Sequence, residues 1–111
     1  MKKYFYKLVR DKIPEIIESK GGSCVYDTLN ERDFIDDLDS KLQEEVSEYL
    51  KDPCVEELAD IAEVLLAILD VRGISLGQLE EVRKKKLADR GGFTKRILLI
   101  STDDGKREEN T

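Results

Sequence analysis

The sequence predicts a mainly α-helical fold with a small β element near the C-terminus. Three observations predict it. Apolar residues recur at helical spacing on both sides of Asp52-Pro53, capping residues and glycines punctuate the chain, and only two short stretches carry β-type residues. With 111 residues, the chain suits one domain over residues 1–100 and a polar tail over 101–111.

Residues 1–10 (MKKYFYKLVR) form a short aromatic and basic segment. Asp11 to Lys20 then predicts a brief helix, with Pro14 tolerated in its first turn and Gly21-Gly22 ending it. Residues 23–28 (SCVYDT) have the composition of a short strand. Thr28 and Glu31 have the spacing of a capping box, opening a second helix whose apolar stripe is Phe34, Leu38, Leu42, Val46 and Tyr49.

Pro53 stops that helix, and Asp52 is expected to cap the next, with Pro53 at its first position. The third helix carries Leu58, Ile61, Leu65, Ile68 and Leu69 and is closed by Gly73. Ser75 and Gln78 repeat the capping-box spacing and open a fourth helix running through about Asp89. After Gly91-Gly92, residues 93–100 (FTKRILLI) read as a strand whose nearest partner is 24–27.

Composition narrows the function. Residues 31–70 hold 14 acids and 3 bases, net −11, while the rest hold 11 acids and 16 bases, net +5. An acidic centre between basic ends argues against a nucleic-acid polymer as partner. The absence of histidine excludes a His-ligated zinc site and a Ser-His-Asp triad. Two cysteines, Cys24 and Cys54, are too few for a disulfide framework. The longest apolar run, 61–71, contains Glu63 and Asp70 and is too short for a membrane span. A cytoplasmic protein without a membrane partner is the expectation.

The acids of the two central helices carry the strongest signal. Glu45 and Glu48 on one, and Glu57 and Asp60 on the other, are i, i+3 pairs projecting on or beside the apolar stripes. If the helices turn back at Asp52-Pro53, Glu48 lies opposite Glu57 and Glu45 opposite Asp60. Converging carboxylates repel unless protonated or bridged by a cation, and an all-oxygen set suits Mg²⁺, with Mn²⁺ as the alternative. The plainer reading is acids at a solvent boundary or paired with lysine and arginine. Basic residues flank the acids: Lys7, Arg10 and Lys12 near the N-terminus, and a run from Arg83 to Arg90 that includes Lys86.

These segments together resemble the MazG-like all-α nucleoside triphosphate pyrophosphohydrolases. EEVSE at 44–48 is similar to that family's EExxE, and ELAD at 57–60 to its ExxD. KLVRDKIPEII (7–17) and KLADRGGF (86–93) resemble a subgroup of small single-domain members. The connector between Glu48 and Glu57 is shorter than in many of them.

The resemblance implies metal-dependent cleavage of a nucleotide between its α- and β-phosphates, as in house-cleaning enzymes that remove non-standard nucleotides. Carried over, Glu45, Glu48, Glu57 and Asp60 are metal ligands, and Glu44 and Glu45 are catalytic. Lys86 and Arg90 contact phosphate, as the nearby cations Lys7, Arg10 and Lys12 would. A homodimer or higher homo-oligomer would complete the helical bundle. Two alternatives remain: hydrolysis of another substrate such as phosphoribosyl-ATP, and a non-catalytic helical module with an acidic docking face.

Overall fold

A computed structural model describes residues 1–103 and Gly105. The tail expected over 101–111 therefore falls mostly outside the described residues. The protein is mainly helical: α1 is Ile13–Ser19, α2 Glu31–Lys51, α3 Val55–Val71 and α4 Leu76–Arg90. It divides into two compact units, Met1–Ile74 and Ser75–Thr111.

The first unit is built on a hairpin of α2 and α3, which pack against each other. The N-cap of α2 is Asn30, whose side-chain oxygen accepts from the Asp33 amide at 2.8 Å. That corrects the expected Thr28–Glu31 capping box. Asparagine caps at least as well as threonine, and starting at Asn30 places Glu31 and Asp33 in the first turn, where they oppose the helix dipole.

The hairpin turn also differs from expectation. Asp52 closes α2, its amide donating to the Glu48 carbonyl at 3.0 Å, and does not cap α3. Pro53 disfavours helical backbone at the residue before it, so Asp52 is held at φ −144°, ψ 80°. Cys54 becomes the N-cap of α3, in extended backbone and without a side-chain cap bond. The turn's purpose survives, because α3 still returns alongside α2. Between them, Leu38 at 3% exposure and Val64 at 8% are the buried apolar residues.

α1 is shorter than expected. It begins at Ile13, after the Asp11-Lys12 turn, and Pro14 sits in its first turn. Gly21, at φ +86°, lets the chain turn so that the Gly21 and Gly22 amides reach the Glu18 and Ile17 carbonyls. Gly73 ends α3 similarly, at φ +69°, its amide donating to the Asp70 carbonyl.

In the second unit, the Ser75–Gln78 capping box forms as expected. The Gln78 amide donates to Ser75 Oγ at 3.1 Å, and the Ser75 amide to Gln78 Oε1 at 2.8 Å.

Neither expected strand forms, and the described residues contain none. Strand geometry depends on a ladder partner, and neither 23–28 nor 93–100 has one. Val25 is fully exposed, and the side chains of 97–100 are exposed as well. Arg96 further breaks the extended run: it lies at φ +55°, and its amide donates to the Phe93 carbonyl in a turn.

Candidate metal centre

The α2–α3 hairpin brings three of the expected ligands together. Glu45 from α2 and Glu57 and Asp60 from α3 each present a carboxylate oxygen, and these oxygens all lie within 4.8 Å of one another. Glu45 thus meets Asp60 as the mirror register about Asp52-Pro53 requires. Glu48, one turn further along α2, is not in this group and approaches Lys51 at 3.9 Å.

The cluster is partly compensated by the chain's own cations. Lys41 Nζ lies 3.5 Å from Glu45 and 3.3 Å from Glu44. Both Lys41 and Glu45 are largely sheltered, with side chains 18% and 12% exposed. Arg10 donates to Asp60 Oδ1 at 2.6 Å. Glu57 makes no ion pair with the described residues. Its carboxyl is pushed above the usual range, first by desolvation and then by repulsion from Asp60, Glu45, Glu48 and Asp52.

Glu44 faces a different environment. Lys7 donates to it at 2.7 Å, and with Lys41 this holds its carboxyl below the ordinary value despite partial desolvation. The same contact raises the Lys7 ammonium. A hollow of about 160 Å³ adjoins this pair, lined by Tyr6, Lys7, Leu8, Asp37, Ser40, Lys41 and Glu44. Lys12 is the exposed N-cap residue of α1. Lys86 and Arg90 belong to the second unit, four residues apart and so on one face of α4.

Three convergent carboxylates supply hard oxygen donors and no nitrogen or sulfur, which fits Mg²⁺ or Mn²⁺ and not a soft ion. Glu57, which makes no ion pair with the described residues, is the group whose charge such an ion would relieve most.

Lys41 is not among the residues the sequence singled out. Its spacing from Glu44 and Glu45, i+3 and i+4, is a signal that could have found it. The pairing of Arg10 with Asp60 spans 50 residues and leaves no periodic trace in the sequence.

No family model matches the chain, and no solved structure matches it. A stretch of 42 residues is 48% identical to a curated protein of Mycolicibacterium smegmatis, described only as uncharacterized. That stretch is 38% of this chain and 43% of the relative, so the match spans less than half of either.

Among the described residues, no helix is long and apolar enough to cross a membrane.

Proposed function

We propose that this chain is a Mg²⁺-dependent nucleotide pyrophosphohydrolase of the MazG-like kind, cleaving a nucleoside triphosphate to its monophosphate and pyrophosphate. One observation carries the reading: Glu45, Glu57 and Asp60 meet across the hairpin, in the segments that resemble the family's EExxE and ExxD motifs.

Glu45, Glu57 and Asp60 would hold the ion, and the resemblance assigns Glu48 to it as well. An ion held there would supply Lewis acidity to the phosphates and to the attacking water. The chain's own groups do the rest. Glu44 is kept ionised by Lys7 and Lys41, so it can accept a hydrogen bond from the attacking water while Glu45 serves the ion. Lys7, Arg10 and Lys12 provide positive charge for the phosphates and offset what develops on the departing pyrophosphate. Lys86 and Arg90 are assigned to phosphate by the resemblance alone.

A second copy completes the site in this reading. A nucleotide pocket typically needs roughly 300 Å³ or more, and the hollow beside Glu44 offers about 160 Å³. Leu50, Leu58, Leu65 and Leu66 remain exposed on the hairpin and would be covered by the partner.

The test is a panel of nucleoside triphosphates with Mg²⁺, the products resolved by phosphorus NMR. Monophosphate plus pyrophosphate is expected, with Glu45→Gln and Asp60→Asn each slowing turnover by about 100-fold or more, as expected for loss of a group that stabilises transition-state charge. Orthophosphate release, or full turnover in both variants, would overturn the reading.

A further inference from the structure

We infer that residues 7–10 form a cationic strap across the acidic cluster, and that the Arg10–Asp60 contact competes with a divalent cation for that cluster. This rests on the metal-site reading above and adds to it a group that controls entry.

The strap has two anchors on two helices. Lys7 holds Glu44 of α2 at 2.7 Å, and three residues later Arg10 holds Asp60 of α3 at 2.6 Å. The segment therefore bridges the hairpin at the level where Glu45, Glu57 and Asp60 meet. The anchors differ in what they occupy. Glu44 stands outside the converging three, so its contact with Lys7 can persist whether or not the cluster is filled. Asp60 is one of the three, and the Arg10 guanidinium takes one of its oxygens.

A divalent cation drawing on the same carboxylate meets a fixed positive charge already bonded to it. The two repel, and they compete for the lone pairs of one group. Coupling of this kind is reciprocal: cation binding weakens the Arg10–Asp60 contact by the factor by which that contact weakens cation binding. Once released, Arg10 stays tethered beside the cluster by Lys7, with its guanidinium available to an anionic ligand.

The experiment measures Mn²⁺ affinity by electron paramagnetic resonance on the full chain, in wild type, Arg10→Gln, Arg10→Lys, Lys7→Gln and Glu45→Gln. Arg10→Gln is expected to bind Mn²⁺ about fivefold more tightly than wild type, the low end of ordinary site-to-site coupling. Lys7→Gln removes the same charge but frees no ligand, and should change affinity less than about twofold at physiological salt, where exposed charges are screened. Arg10→Lys, which keeps the charge, should stay near wild type. Equal effects of Arg10→Gln and Lys7→Gln, or none from Arg10→Gln, would overturn the strap.

A second readout follows the Arg10 side-chain Nε–H signal by NMR. It should move on adding Mg²⁺, and in metal-free Asp60→Asn it should already sit near the moved position. A signal that stays fixed at saturating Mg²⁺ also overturns the proposal. The two readings fail differently. If wild type and Arg10→Gln bind no Mn²⁺, or if Glu45→Gln binds it as well as wild type, the metal site falls and the strap with it. If Glu45→Gln abolishes binding while Arg10→Gln matches wild type, only the strap falls.

Discussion

Leu38 and Val64 together make a very small buried core, so each carries an outsized share of the hairpin's stability. Truncating a buried leucine removes its transfer energy and leaves a cavity that the surrounding helices only partly close. Leu38→Ala should therefore cost about 2–4 kcal/mol, measured by urea unfolding. That is a large fraction of what a small domain has. Glu57 should behave in the opposite way. Desolvation and four neighbouring acids disfavour its charge, so Glu57→Gln should raise the melting temperature of EDTA-treated protein. The same change should remove any stabilisation by added Mg²⁺. At this scale, the facing of Glu45 and Asp60 is legible in the sequence, because it needs only the helical period and the turn at Asp52-Pro53. Of the cations that answer them, Lys41 is legible from its i+4 spacing to Glu45, but Arg10 is not. Arg10 reaches Asp60 from an irregular segment through a long flexible side chain, and no local pattern encodes that contact.

Helix ends show why some elements are legible and others only nearly so. Ser75–Gln78 satisfies both halves of a capping box, and its reciprocal bonds form within four residues. Thr28–Glu31 has the same spacing, but Asn30 competes two residues later and wins. Asn30→Ala should accordingly cost about 1 kcal/mol, read by thermal unfolding, whereas Thr28→Ala should be nearly silent. Inverting that order would restore the Thr28 cap. The strand expectations fail for a different reason. A helix satisfies its backbone locally, whereas a strand needs a distant partner that composition cannot supply. In α4, Arg83 holds the Glu80 carboxyl below its usual value through bonds of 2.9 and 2.8 Å. A depressed carboxyl contributes stability above its unfolded value and loses it as pH falls through the folded one. Acidification through the carboxylate range should therefore reduce α4 helicity, followed by backbone chemical shifts, and Glu80→Gln should flatten that dependence.

For the molecule as a whole, the decisive quantity is how much apolar surface the hairpin leaves uncovered. Leu50, Leu58, Leu65 and Leu66 all remain exposed, although α2 and α3 have the amphipathic pattern of bundle helices. Two helices can bury only the strip along which they touch, and a second hairpin is the simplest cover for the other apolar side chains. Such a dimer gains stability by mass action, so its melting temperature should rise with protein concentration. Sedimentation equilibrium at micromolar concentration should give twice the 12.7 kDa chain mass or a higher multiple. Leu65→Lys places a charge on the exposed stripe without entering the Leu38–Val64 core, and should shift the species toward monomer while far-UV circular dichroism stays helical. If a second copy completes the nucleotide site as proposed, the same variant should raise the KM for nucleoside triphosphate along with the monomer fraction. A wild-type chain that sediments as a monomer and still turns over substrate would separate assembly from activity and remove the dimer from the mechanism.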